Sequence, residues 1–216
     1  MHGFSRVALI VGAAMLAAAQ ATPPASASVV GVDFSGITAN STNGWNMGYE
    51  FTANTSDVSV VGLGAFDVIP DFQSACGGNP DPCNFATFPQ LVGLWDVTTG
   101  TLLDSVTVDG SSVQIGYFAY TLITPIPLTQ GDTYAVGAQG GGPYASFTSL
   151  TADPAITYVG GYGTFIGGGG DLTQPSLEDG DVTAANVLLD PVPEPMSLSL
   201  FGIALAGLGL VRRRRS

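Results

Sequence analysis

The chain has 216 residues, with 17 acidic and 5 basic side chains, one histidine and a formal net charge of −12. The basic residues are Arg6 and Arg212 to Arg215 and the histidine is His2, so residues 28–190 contain no Lys, Arg or His against sixteen carboxylates. That composition excludes nucleic-acid binding by phosphate neutralisation, Ser-His-Asp and Cys-His catalysis and Schiff-base chemistry. A zinc site would need His or Cys, and only two Cys exist.

At the N-terminus, His2 and Arg6 precede an apolar stretch, Val7 to Ala19, and then a small polar segment. A basic start, a short apolar core and an A-x-A exit predict a secretory signal peptide over residues 1–27. Ala25-Ser26-Ala27 is the preferred cleavage site, leaving Ser28 as the new N-terminus; Ala19-Gln20-Ala21 also fits.

Residues 28–190 form one body of about 160 residues, enough for a real core. Its pattern is short β-prone runs separated by Gly, Pro, Asn and Asp. Strands are predicted over Val29 to Phe34 and over Trp45 to Phe51, where Trp45, Met47, Tyr49 and Phe51 alternate. Val58 to Asp67 follows. Gln90 to Asp96 and Thr101 to Val108 make a hairpin closed by Gly100. Val113 to Leu122 is expected to carry Phe118, Tyr120 and Leu122 on one face. Thr133 to Gln139, Ala155 to Val159 and Ala185 to Leu189 complete the set. No stretch of the body has a helical apolar period. The expected class is therefore all-β, an antiparallel sandwich of jelly-roll or immunoglobulin-like type. A signal helix is expected before it and a single transmembrane helix after it.

Cys76 and Cys83 lie in a Gly/Pro loop, Cys-Gly-Gly-Asn-Pro-Asp-Pro-Cys. In an exported chain such a pair predicts a disulfide. A low-pKa redox thiolate needs positive charge nearby, and none is available. Asp171, Glu178, Asp179 and Asp181 form the densest acidic stretch. They are possible oxygen ligands for Ca²⁺ or simply a solvated loop; the spaced Asp-x-Asp-x-Asp-Gly loop is missing, and no metal site is assigned. Asp67 and Asp96 end strands beside Phe66 and Trp95, as a glycosidase carboxylate pair would, but also as ordinary strand-end aspartates would, with Trp95 in the core. Tyr117, Tyr120, Tyr144, Tyr158 and Tyr162 fit either a carbohydrate-contacting face or cross-strand packing.

The chain ends in Pro193-Glu194-Pro195, the apolar run Met196 to Val211, and Arg212-Arg213-Arg214-Arg215-Ser216. The run has 16 residues, about 24 Å as a helix, which is a marginal span. The arginine cluster orients it with the C-terminus inside.

These three parts, in this order, resemble the PEP-CTERM sorting signal of bacteria, covering residues 191–216. The resemblance implies recognition by an exosortase after Sec export and processing near Pro193-Glu194-Pro195. It also implies a precursor in the inner membrane of a Gram-negative cell and delivery to the cell surface or exopolysaccharide matrix. The body, too, is similar to uncharacterised jelly-roll or immunoglobulin-like modules of such proteins. The similarity runs through Phe51-Thr52, Val61-Gly62-Leu63-Gly64-Ala65-Phe66-Asp67, Val92-Gly93-Leu94-Trp95-Asp96, Gly100-Thr101-Leu102-Leu103, Pro127-Leu128-Thr129 and Gly131-Asp132-Thr133-Tyr134-Ala135-Val136-Gly137. It implies a sandwich and no known activity. The expected role is non-enzymatic, structural or adhesive, without a cofactor. The alternatives are a Ca²⁺-assisted module binding exopolysaccharide and, behind it, a glycoside hydrolase.

Overall fold

The computed structural model describes residues 27–41, 44–67, 89–140, 143–167 and 170–191. Among them all regular structure is β, and no helix is long and apolar enough to cross a membrane. The two expected flanking helices, the sorting residues Pro193, Glu194, Pro195 and Arg212 to Arg215, and the Cys76–Cys83 loop lie outside the described residues. So does Ala25 of the expected cleavage site, whereas Ala27 is described and exposed.

The strands run in chain order as follows. β1 (Val29–Val30), β2 (Val32–Ser35) and β3 (Thr38–Ser41) open the body. β4 (Trp45–Ala53) and β5 (Val58–Phe66) are its long central strands. β6 (Gln90–Asp96) and β7 (Thr101–Val108) form a hairpin, as do β8 (Val113–Ile115) and β9 (Phe118–Pro127). β10 (Thr133–Ala138), β11 (Pro143–Ser146), β12 (Ser149–Ala152) and β13 (Ile156–Phe165) follow. β14 (Leu177–Gly180), β15 (Val182–Thr183) and β16 (Ala185–Pro191) close it. A five-stranded sheet has the order β1-β16-β5-β9-β8 and a six-stranded one β14-β13-β4-β10-β6-β7, with two small sheets, β15-β11-β3 and β12-β2. Every pairing is antiparallel.

The expected strands are all present, with three corrections. The run from Val29 breaks at Gly31: β1 pairs with β16, and β2 leaves to pair with β12. Only a glycine fits there, because a Cβ would sit 2.5 Å from Val187 Cγ2. The run from Val113 is two strands folded back at Gly116, whose φ of +61° a side chain disfavours. Within β9, Leu122 does not share the buried side of Phe118 and Tyr120; it is 68% exposed. Beyond it the pairing slips: Val60 faces Ile126 while Gly62 faces Leu122, so β9 carries extra residues and its alternation is lost. Gly100, at φ +66°, closes the β6–β7 hairpin as expected.

One core joins the sheets. The alternating set Met47, Tyr49 and Phe51 of β4 is buried against Phe34, Phe118, Val136 and Leu188. Aromatic rings dominate it: Phe34 lies 4.6 Å from Phe147 and 5.9 Å from Tyr49, centroid to centroid. At its centre is Asn186, fully buried on β16. Its Oδ1 accepts a hydrogen bond from the Tyr49 hydroxyl at 2.8 Å and from the Val187 N–H at 2.8 Å. Its Nδ2 donates to the Val32 carbonyl at 2.7 Å. One amide thus connects β4 of the six-stranded sheet, β16 of the five-stranded sheet and β2. Burial, with the neighbouring Tyr120 hydroxyl adding to it, holds the Tyr49 phenol well above the usual tyrosine range, so it serves as a neutral donor.

Asn186→Ala orphans the Tyr49 hydroxyl and the Val32 carbonyl, and urea denaturation is expected to show a loss of about 3–5 kcal/mol. Tyr120 gives the contrast. Its buried hydroxyl has no hydrogen-bond partner among the described residues. Tyr120→Phe is therefore expected within about 1 kcal/mol of the parent, on the stabilising side.

Candidate functional site

The six-stranded sheet has a second face, directed away from the core. Register sets Gly48 of β4, Gly137 of β10 and Gly93 of β6 side by side. Their chain neighbours Met47, Tyr49, Val136, Ala138, Val92 and Leu94 belong to the core, so strand alternation turns this glycine row outward. Trp95 shares that face with Gly93. It is buried, as expected, yet on the side opposite the core: a Cβ on Gly93 would meet Trp95 Cη2 at 2.6 Å and Leu172 Cδ2 at 2.9 Å. On Gly137 it would meet Pro175 Cγ at 2.4 Å. Over Gly93 and Gly137 the missing side chains leave a trough that Trp95, Leu172 and Pro175 fill, whereas at Gly48 a Cβ would meet the backbone of Val136 and Gly137 on β10.

Residues 170–176 cross the face as a strap fixed by polar side chains. Asn46 Nδ2 donates to Thr173 Oγ1 at 2.9 Å and to the Thr173 carbonyl at 3.1 Å. Its Oδ1 accepts from Gly140 N–H at 2.9 Å. Gln139 Nε2 donates to the Gly170 carbonyl at 2.7 Å, and Thr164 Oγ1 accepts from Ser176 N–H at 3.0 Å.

Beside the strap stands a perturbed carboxyl, that of Glu50. Glu50 lies in register with Ala135, and Ala135 with Trp95. A bulge in β13 between Tyr158 and Gly160 brings Tyr162 over Gly160, where its ring would touch a Cβ at 3.2 Å. The Tyr162 hydroxyl donates to the Glu50 carboxylate. Partial burial pushes the Glu50 carboxyl above its ordinary range, and the Tyr162 bond draws it part of the way back. A half-buried carboxylate with a phenol at its side, next to an apolar ledge, is equipped to accept hydrogen bonds from a hydroxylated ligand.

The sequence candidates are distributed elsewhere. Asp96 closes the β6–β7 hairpin, its Oδ1 accepting from Thr99 N–H at 3.1 Å. Asp67 follows β5, and its N–H bonds to the Tyr117 carbonyl. The two lie at opposite ends of the body. Asp96 pairs with Tyr134, whose hydroxyl accepts from Thr129 N–H, and the adjacent Leu128 N–H bonds to Val58 at the start of β5. Nine strand residues, about 30 Å, then separate that point from Asp67, far beyond the reach of a glycosidase pair. Asp171 and Asp181 are exposed, and the Glu178 and Asp179 side chains lie outside what is described. Among the described residues no group of three or more His, Cys, Asp or Glu side chains could hold a metal ion. The tyrosines do not form one face: Tyr120 is in the core, Tyr158 packs 5.6 Å from Tyr49 and is half-buried, and only Tyr162 joins the glycine-floored side. Glu50 is not among the sequence candidates; the signal available for it is the period-two set Asn46, Gly48, Glu50 and Thr52, non-apolar residues threaded through an otherwise apolar strand.

No family model matches the chain, and no curated protein matches it significantly.

Because its folded pKa is raised, Glu50 binds a proton more readily when folded. The associated destabilisation is absent below the ordinary carboxylate range, grows as pH rises through the folded pKa, and is complete above it. Glu50→Gln is expected to raise the Tm at pH 7 and to leave it unchanged below about pH 4. Thermal melts of both proteins across that range check the sign.

Proposed function

We propose that this chain is an exported, surface- or matrix-directed β-sandwich of jelly-roll or immunoglobulin-like type. Its role is structural or adhesive, without enzymatic activity, and an exosortase sorts it through its C-terminal tail. The observation that carries the reading is the ordered tail: Pro193-Glu194-Pro195, then Met196 to Val211, then four arginines. The body suits that destination. It presents carboxylates and no basic group, which keeps it soluble and favours divalent cations over anionic partners. The Sec machinery exports it, and the membrane holds the precursor. The Cys76–Cys83 pair would oxidise outside.

The intact mass of the native protein, from membrane and extracellular fractions separately, tests the reading. A mass ending near Pro193 to Pro195 in the outer fraction is expected. A membrane-bound mass that retains Arg212 to Ser216 overturns sorting in favour of a plain anchor.

The Glu50–Tyr162 pair favours a second reading, a carbohydrate-binding module for the cell's own exopolysaccharide, assisted by Ca²⁺. Calorimetric titration with Ca²⁺ and with that polysaccharide separates the two. A structural body gives no heat with either; a binding module gives polysaccharide heat that Glu50→Gln diminishes.

A further inference from the structure

The chain enters and leaves the body on neighbouring rungs. Val29 of β1 pairs with Leu189 of β16, and Pro191, the last paired residue, faces Val58 at the start of β5. Both targeting segments therefore join the same end. Five Cα–Cα steps, with four residues between, separate Pro191 from Met196, where the apolar run begins. Fully extended they reach about 17 Å. At this end lies an open cavity of about 410 Å³ whose lining includes Val29, Leu189, Thr55, Pro154, Asp57 and Asp153.

We propose that this end is the membrane-facing surface of the tethered protein, apposed to lipid headgroups whose ammonium groups complement Asp57 and Asp153. The inference rests on the reading of residues 191–216 as a membrane-inserted sorting tail. The short tether holds the exit end at the bilayer. The opposite end, marked by Gln114, stands away from it. Gln114 pairs with Ala119, and Ala119 with Ala65, seven residues up β5 from Val58. That is about 23 Å along the strand. Ser56 and Pro154, both exposed, mark the near end.

The test uses the full chain in phosphatidylethanolamine–phosphatidylcholine vesicles that carry a headgroup nitroxide. A fluorophore is placed on Ser56→Cys, Pro154→Cys or Gln114→Cys, each with Cys76→Ser and Cys83→Ser, and flotation is read on the same samples. Co-flotation with several-fold stronger quenching at positions 56 and 154 than at 114 is the expected result. Co-flotation with equal or stronger quenching at 114 overturns the orientation and leaves the tail reading standing. Protein that does not float with the vesicles overturns the tail reading, and the orientation with it.

Discussion

The hydrogen bond between Tyr49 and Asn186 is the constraint around which this body is arranged. A domain without Lys, Arg or His cannot join its layers with ion pairs, so a polar link through its core has to be made without a cation, and a neutral pair avoids burying an uncompensated charge. An amide and a phenol satisfy that requirement, and burial keeps the phenol protonated. Because Asn186 also holds Val32, the same side chain fixes where the first segment of the chain leaves β16 for β2. Apolar burial supplies most of the stabilisation, but it is nondirectional. The amide specifies which strand of one sheet lies over which strand of the other.

Glycine does on the outside of the six-stranded sheet what Asn186 does within. Gly93 and Gly137 remove side chains from one row, and the space admits Trp95 and an irregular strap in place of another sheet. The strap's backbone groups are then satisfied by Asn46, Gln139 and Thr164, polar residues that would otherwise be exposed on a bare sheet. Glu50 gains its half-buried setting from the same arrangement. The candidate site is thus a by-product of how the outer face is closed.

The legible parts of this fold were those with strict alternation. Trp45 to Phe51 and the Gly100 hairpin could be read because their pattern is local. What lay hidden depended on distant partners. Nothing near Leu122 marks the slip in β9, which arises from its pairing with β5. The run Gly160-Gly161-Tyr162-Gly163 has a loop's composition, yet it is the middle of a ten-residue strand, because β4 and β14 pair on either side of it. The short strands Thr38–Ser41, Pro143–Ser146 and Ser149–Ala152 carry too few apolar residues to show a period. For the site, paired carboxylates at strand ends drew attention to Asp67 and Asp96. The carboxyl whose pKa burial raises is instead that of Glu50 in mid-strand, with Tyr162, more than a hundred residues later, as its neighbour.

The adjacency of Val29 and Leu189 also has a topological consequence. A domain whose ends meet on neighbouring rungs is nearly a closed ring of chain. It can be spliced into a loop of another protein, or repeated along a filament, while adding almost nothing to the distance between its neighbours. For the same reason its strands could be renumbered from a different starting point, by joining residue 191 to residue 28 and opening a surface turn such as that at Gly116, with every sheet pairing retained.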